Sequence, residues 1–234
     1  MMNIEPIATD KIWYLKRINL FQAMNRDEMM DLAQKTTMKN FRKKELIYLS
    51  GQPGEYLYLL KKGVVKISKL TADGRELTLA LLKPGEIFGE LEALGTGETG
   101  AQAEAHSDVI ICVLRRKDLL DLMQMKPDLG IRLSKLIGFR RRIIENRMEN
   151  LIFRNIPQRL AALFLELKEE FGRKEGDEIK IGVPLTHEDL ASLIGSARAT
   201  VTEVLNDFKK QGIIQTAGKI FIIKNIKLLE EMSC

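Results

Sequence analysis

The chain has 234 residues, 45% of them hydrophobic, which is enough for two compact domains and excludes a largely disordered protein. No apolar run approaches the roughly 18 residues that span a bilayer, and residues 1–10 lack the pattern of a signal peptide, so we expect a soluble cytoplasmic protein without membrane partners. The net charge of +5 indicates polyanion binding only weakly, because residues 151–234 hold 12 basic and 12 acidic residues.

Residues that could bind a metal or act as nucleophiles are few and scattered. Cys112 and Cys234 lie far apart, and neither His106 nor His187 belongs to a metal-binding spacing. The sequence also lacks a Ser/His/Asp grouping and a phosphate-binding loop. It therefore predicts no enzyme, no catalytic residues, no metal site and no cofactor.

The first half of the chain has a helical segment followed by many short strands. Residues 10–35 have helical periodicity, and from about Phe41 to residue 115 short apolar stretches alternate with turn signals. Asp73 and Gly74, between two such stretches, form a strong hairpin signal. The pattern predicts an α+β protein whose N-terminal region is an antiparallel β-roll or jelly roll.

A long helix is predicted from Asp128 to Phe153. Five apolar residues form a seam along it: Leu133, Ile137, Ile144, Met148 and Leu151. Three of them are spaced by sevens, which is typical of a helix that pairs with a second copy. The alternative is an amphipathic helix packed on its own barrel. We therefore divide the chain into a sensor domain (1–127), a dimerisation helix (128–153) and a C-terminal domain (154–234).

The C-terminal domain is predicted to begin with a helix over residues 158–171. Asn155 can cap this helix, and Pro157 stands in the first turn, where its missing N–H costs nothing. A polar turn (172–177) and a short strand (178–181) are predicted to follow.

Residues 185–208 have the pattern of a helix-turn-helix. Thr186 can cap the first helix, with Asp189 at the acidic position of a capping box, and Gly195 ends it. A second helix begins near Arg198, and apolar stretches on either side of the turn at Ala217 predict a two-stranded wing. The alternative is a helical hairpin without a ligand.

The outward residues of this motif are the predicted DNA contacts: Thr186, Ser196, Arg198, Ala199, Thr200, Thr202 and Glu203. Arg198 is the residue expected to read a guanine, because the first residues of a recognition helix face base edges in the major groove. The three threonines could bind phosphates. Glu203 could accept a hydrogen bond from a cytosine amine, or instead orient Arg198.

Three motifs together resemble the CRP/FNR family of bacterial regulators. They are Leu57–Val65, Lys83–Leu91 and Ile194–Val201, and the similarity extends over nearly the whole chain. The resemblance implies a cyclic-nucleotide-binding-like β-roll, a long dimerisation helix and a winged helix-turn-helix. It also implies a homodimer that binds a palindromic DNA site and contacts RNA polymerase.

The sequence departs from the cyclic-AMP-sensing members of that family. Gly89 and Glu90 match the family, but residues 98–103 lack the arginine that pairs with the cyclic phosphate, and a buried phosphate without that partner would be costly. The Thr-Ser pair expected on the long helix is replaced by Ile144 and Glu145. We therefore expect an effector other than cyclic AMP, and the absence of cysteines before Cys112 argues against an iron–sulfur cluster.

Arginines on the long helix suggest a different effector. Family members that sense 2-oxoglutarate use an arginine there, so we expect a small organic anion to bind in a pocket formed by six residues: Gly89, Glu90, Leu91, Arg140, Arg141 and Ile144. One alternative is that Arg140, Arg141 and Arg142 form a solvated basic face. Another is a regulator without an effector, controlled by its abundance.

The recognition helix also departs from the commonest family pattern. That pattern has Glu directly after the arginine and a second arginine four residues later, where this sequence has Ala199 and Glu203. We therefore expect a half-site that differs from the common ones. The remaining functional alternative is a cyclic-nucleotide-binding-like regulatory or structural module that does not bind DNA.

Overall fold

A computed structural model of the chain describes residue 15, residues 18–95 and residues 99–233. These residues form two compact units. The first comprises the chain up to Asp73 together with Leu79–Arg142, and the second comprises Gly74–Thr78 and the chain from Ile143 onward. None of the helices in these ranges is long and apolar enough to cross a membrane. The predictions for residues 1–14, Glu98 and Cys234 lie outside the described residues.

The segment predicted as helical over residues 10–35 is interrupted. A short 3-10 helix spans Asn19–Phe21, and helix α1 begins only at Arg26 and ends at Lys35. Asn25 sets this start, because its side chain accepts a hydrogen bond from Glu28 N at 3.0 Å while Glu28 Oε2 accepts one from Asn25 N at 2.8 Å. The periodicity of apolar residues did not reveal this cap.

The β-roll predicted for the first unit is confirmed. Its strands are β1 (Thr36–Phe41), β2 (Leu46–Tyr48), β3 (Tyr56–Lys62), β4 (Val65–Leu70), β5 (Glu76–Leu82), β6 (Ile87–Phe88), β7 (Gln102–Ala105) and β8 (Val109–Arg115). They form two four-stranded sheets, in the orders β1-β8-β3-β6 and β2-β7-β4-β5. The pairings are antiparallel, as the alternation of the sequence predicted.

Alternate residues of β3 face two separate cores. Leu57 and Leu59 belong to a core shared with α1 and with helices α3 (Arg116–Met125) and α4 (Pro127–Phe153). Tyr56, Tyr58 and Leu60 belong to a core shared by residues of both sheets. A short helix, α2 (Glu90–Leu94), follows β6. The two faces of β3 explain why this strand is apolar at nearly every position.

The second unit is a winged helix-turn-helix with a larger sheet than the sequence predicted. Its elements are α5 (Ile156–Phe171), β9 (Gly172–Glu175), β10 (Glu178–Ile181), α6 (His187–Ile194), α7 (Arg198–Lys210), β11 (Ile214–Ala217), β12 (Ile220–Ile223) and α8 (Ile226–Met232). The sheet order is β11-β12-β10-β9. Residues 172–177, predicted to be a polar turn, therefore include strand β9. All four residues of β9 are exposed, so the strand has no apolar alternation to reveal it.

Candidate nucleic-acid interface and effector site

Helix α6 begins at a complete capping box. Thr186 Oγ1 accepts a hydrogen bond from Asp189 N at 3.1 Å, and Asp189 Oδ2 accepts one from Thr186 N at 2.7 Å. The Thr186 hydroxyl donates its proton to Asp189 Oδ2 at 2.6 Å. A hydroxyl has only one proton to donate. A phosphate contact from Thr186 therefore stays a prediction, and it would require this hydroxyl to turn away from Asp189.

The turn between α6 and α7 is held from two sides. Gly195 has a left-handed conformation (φ 63°, ψ 49°), and the N–H groups of Gly195 and Ser196 both donate to the carbonyl of Ala191. On the other side, Arg159 of α5 donates from Nη1 to the carbonyl of Ile194 at 3.0 Å. The sequence predicted the role of Gly195 but not that of Arg159, which lies 36 residues earlier in the chain.

The space around Gly195 predicts the effect of adding a side chain. A Cβ atom there would lie 3.1 Å from Leu151 Cδ2, whereas a Cβ at Gly212, which also has a positive φ, would have no neighbour within 4 Å. We expect Gly195→Ala and Gly212→Ala each to lower the free energy of unfolding by about 1–2 kcal/mol through the left-handed backbone. Gly195→Ala should lower the free energy of unfolding by more than Gly212→Ala does, because Leu151 must also move. Urea denaturation of both variants tests this, and equal losses would contradict a tight contact.

One face of α7 is buried and the other is open. Val201, Leu205 and Phe208 are buried in the second unit, while Arg198 and Glu203 are exposed. The side chains of Arg198 and Glu203 make no hydrogen bond or ion pair with any described residue. In this structure Glu203 therefore does not orient Arg198, which was the alternative role considered for it. Both charged groups remain available to a ligand.

The remaining predicted contacts differ in their accessibility. Ala199 is exposed, and Ser196 and Thr200 are half-buried. The Thr202 hydroxyl donates to the carbonyl of Arg198 at 2.9 Å, so it has no proton left for a phosphate. A phosphate contact from Thr202 therefore also stays a prediction, and it would require this hydroxyl to turn away from Arg198.

His187 connects the two helices of the motif, a role that the sequence did not suggest. Its Nδ1 lies 2.8 Å from Thr202 Oγ1. Because the Thr202 hydroxyl donates to the carbonyl of Arg198, Nδ1 of His187 is assigned as the donor in this contact. Burial lowers the pKa of His187 below its ordinary value of 6.5, and the charges of Lys209 and Arg198 lower it further.

This lowered pKa predicts how stability depends on pH. Below pH 6.5 the unfolded chain takes up a proton at His187, while the folded chain does so only at lower pH. The free energy of unfolding should therefore fall as the pH drops from 6.5 through the folded-state pKa. We expect the thermal midpoint of His187→Gln to decrease less over this range than that of the unmodified protein. Parallel decreases in both proteins would contradict this role of His187.

Most of the predicted seam on α4 is exposed. Ile144, Met148 and Leu151 are 45%, 56% and 43% exposed, and Ile137 is half-buried. Leu133 is only 1% exposed and lies in the core of the first unit. Its assignment to a dimer interface is therefore corrected, because it has almost no surface left to bury against a second chain.

Arg140 and Glu90, both predicted to lie in an effector pocket, form an ion pair. Glu90 is 2% exposed and accepts a hydrogen bond from Arg140 Nη1, while Arg140 Nη2 donates to the carbonyl of Ile87. Gly89 has a positive φ, and a Cβ atom there would lie 2.8 Å from the carbonyl oxygen of Tyr56. This close approach requires glycine.

The side chains of the other predicted effector residues are exposed. Leu91 is 55% exposed, so its side chain points largely to solvent. Arg141 and Arg142 are exposed, as is Ile144 farther along α4. Arg141 follows Ile137 by four residues, which places it on the seam face of the helix. Of the three adjacent arginines, only Arg140 turns inward to Glu90.

A pocket of about 330 Å³ that is open to solvent is lined by residues of the β-roll. The residues that line it include Lys39, Phe41, Tyr48, Tyr56 and Tyr58. Gly89 is the only residue that it shares with the predicted effector pocket. The sequence did not predict this pocket, because its lining residues come from several separate strands and the loop between β2 and β3.

Both units match known protein families. Residues 38–126 match the model of the cyclic nucleotide-binding domain, and residues 158–232 match that of the Crp-like helix-turn-helix domain. A CRP-like cAMP-activated global transcriptional regulator of Mycobacterium tuberculosis is 30% identical over 215 residues, covering 92% of this chain and 96% of that protein. A global nitrogen regulator of Synechocystis sp. is 33% identical over 193 residues, covering 80% and 84% of the two chains.

Solved structures share the same architecture. FixK2 from Bradyrhizobium japonicum superposes with a TM-score of 0.75 at 25% identity, covering 85% of this chain and 98% of that one. A mutant of CooA from Carboxydothermus hydrogenoformans superposes with a TM-score of 0.77 at 25% identity, covering 92% and 96%. The matched domains and sequence relatives are those of transcription regulators and not of enzymes.

Proposed function

Since this chain belongs to the CRP/FNR family of transcription regulators, we propose that it acts in the cytoplasm as a homodimer that binds a palindromic promoter site through α7. The proposal rests mainly on the exposure of the Arg198 side chain. Its side chain is exposed at the first residue of α7 and has no partner among the described residues, while the opposite face of the helix is fixed in the core. A guanidinium held in this way can reach a guanine O6 and N7 in the major groove.

The neighbouring residues would complete the recognition of each half-site. Glu203 lies five residues after Arg198, is exposed, and could accept a hydrogen bond from a cytosine amine. Ala199 could contact a thymine methyl group. Ser196 and Thr200 are the hydroxyl residues of the motif for which no internal hydrogen bond competes with a phosphate contact, within the part of the chain that the structure describes.

Binding-site selection from random DNA, followed by mobility shift, tests this proposal. We expect a two-fold symmetric site whose half-site differs from the common family sequences, because Ala199 and Glu203 replace the usual residues. Half-sites about one helical turn apart would match two copies of α7. Recovery of an asymmetric or random pool would contradict the proposal. A bound promoter would bring RNA polymerase within reach as the protein partner.

We propose that Ile137, Ile144, Met148 and Leu151 form the dimer interface. They repeat along α4 at spacings of seven, four and three residues, which places them on one face of the helix. Three of them expose large apolar side chains, and an apolar stripe of this kind is typical of a helix that pairs with a partner.

We propose that the effector, if one acts here, is a small organic anion that binds Arg140 and not cyclic AMP. Gly100 and Ala101 stand where the family's phosphate-binding residues are expected, so a cyclic phosphate would lack its arginine. Arg140 is the arginine of α4 that faces Glu90. A carboxylate ligand such as 2-oxoglutarate would have to displace Glu90 from it.

This competition gives the effector hypothesis a specific signature. A buried Glu90 left without its cation would be costly, so the anion should compete with Glu90 for Arg140. Calorimetric titration with 2-oxoglutarate tests whether it binds. Arg140→Ala should abolish binding, and Arg142→Ala is the matched control. No heat with either 2-oxoglutarate or cyclic AMP would favour a regulator controlled by its abundance.

A further inference from the structure

His187 is the first residue of α6 and contacts the outer face of α7. Its Nδ1 lies 2.8 Å from Oγ1 of Thr202, which is half-buried on α7. Arg198 precedes Thr202 by four residues and Lys209 follows it by seven, so the three side chains lie along one side of the helix. We call Arg198, Thr202 and Lys209 the α7 stripe. The His187 ring therefore contacts the stripe that begins with the proposed base-reading arginine.

The charges that α7 brings to His187 are both positive. Burial has the largest effect in lowering the pKa of His187, and the charges of Lys209 and Arg198 lower it further. The free protein therefore disfavours a third positive charge at this position. An anion placed beside the ring would reverse that preference, because it would stabilise the imidazolium together with both neighbouring cations.

Charged groups of α6 and of the wing complete the surroundings of the ring. Glu188 is exposed, and Asp189 is held in the capping box, where it accepts hydrogen bonds from the N–H and the hydroxyl of Thr186. In the wing, the carbonyl of Lys219 accepts a hydrogen bond from Leu185 N at 2.8 Å, which brings the turn between β11 and β12 next to the start of α6. The wing therefore adds a further lysine to this side of the unit.

The second ring nitrogen of His187 is the atom to which a proton would add. With Nδ1 assigned as the donor to Thr202, the neutral ring carries its lone pair on Nε2. Nε2 makes no hydrogen bond with a residue that the structure describes. Protonation of Nε2 turns an acceptor into a charged donor, which can form a charge-assisted hydrogen bond with a phosphate oxygen.

We propose that His187 takes up a proton from solvent when the protein binds DNA, and that the imidazolium donates from Nε2 to a backbone phosphate. This inference rests on the DNA binding proposed above. In a helix-turn-helix the first helix crosses the DNA backbone, so the first residue of α6 is expected near phosphates and not near base edges. The same phosphate would offset the charges of Arg198 and Lys209 that oppose protonation in the free protein. Each copy of His187 in the complex would then carry one additional proton.

The uptake of a proton fixes the direction of the pH dependence. The pKa of His187 would be higher in the complex than in the free protein, so DNA affinity should increase as the pH falls towards the free-protein pKa. In mobility shift at constant ionic strength, the selected site should bind at least about threefold more tightly at pH 6.0 than at pH 7.5. His187→Gln cannot take up this proton and should lose the gain.

Histidine NMR measures the protonation directly. The chain has two histidines, so the signal that is missing from His187→Gln identifies both. The signal of His187 should titrate at a higher pH in the DNA complex than in the free protein. That of His106, which is 6% exposed in the first unit, should titrate alike in both and serves as the control.

The outcomes separate this inference from the proposed function. An unchanged or lowered pKa of His187 in the complex overturns the inference, as does a gain at pH 6.0 that persists in His187→Gln. Tight binding of the selected site that does not change with pH overturns the inference alone. Failure to bind any selected site at either pH would overturn the proposed function and this inference with it.

Discussion

Arg198→Ala is expected to weaken binding to the selected promoter site by roughly tenfold to a hundredfold and to relax the base preference at one position of each half-site. The reason is that this guanidinium is exposed, has no partner among the described residues, and occupies the first position of a helix fixed on its other side. Removing it would take away the proposed base contact without removing any hydrogen bond or ion pair that this side chain makes with a described residue. Mobility shift on sites varied one base pair at a time measures both effects.

A variant elsewhere in the same unit controls for lost charge. Lys227→Ala removes one exposed positive charge from α8 and should change affinity for all sites little and equally. Both variants should unfold at the urea concentration of the unmodified protein. If Arg198→Ala weakened binding to every sequence alike, Arg198 would be a phosphate contact, and the base-reading assignment would be wrong.

The double variant Ile144→Glu/Met148→Glu is expected to convert the proposed dimer into a monomer and to lower promoter affinity by more than about a hundredfold. Four acidic side chains would be brought into one apolar interface, where unpaired charges are costly to bury. Each monomer would then hold a single half-site and lose the gain from simultaneous binding of two. Analytical ultracentrifugation measures the first effect, and mobility shift measures the second.

Asn146→Glu provides the matched control for this pair of substitutions. It adds a negative charge to the same helix at an exposed position outside the seam. It should leave the protein dimeric. A double variant that stayed dimeric would show that α4 does not pair through Ile144 and Met148, and would return the helix to the alternative of packing within its own chain.

The parts of the fold that were predictable are those set by neighbouring residues. The capping box of Thr186 with Asp189 and the left-handed Gly195 fix the ends of α6 by contacts within a few residues, so the sequence shows them directly. The strands of the β-roll were predictable because turns and alternation are also local signals.

The parts that were missed depend on contacts between distant segments. A heptad pattern cannot distinguish a residue buried in its own core from one that faces a partner, which is why Leu133 was assigned to the seam. Three consecutive arginines give no sign of which one turns inward, and only the buried Glu90 selects Arg140. Strand β9 carries no apolar alternation, because its partner β10 supplies the pairing while its side chains face solvent.

The central position of β10 has a consequence for synthesis on the ribosome. This strand pairs with β9, its neighbour in sequence, and also with β12, near the end of the chain. The β9–β10 hairpin can form as soon as it emerges, but its inner edge stays open until Ile220–Ile223 is translated. Phe221, which packs on Phe164 at a ring distance of 5.3 Å, arrives at the same late moment. A messenger cut short before Ile220 would therefore yield a helix-turn-helix on an unfinished sheet, with an unpaired strand edge that invites aggregation or proteolysis.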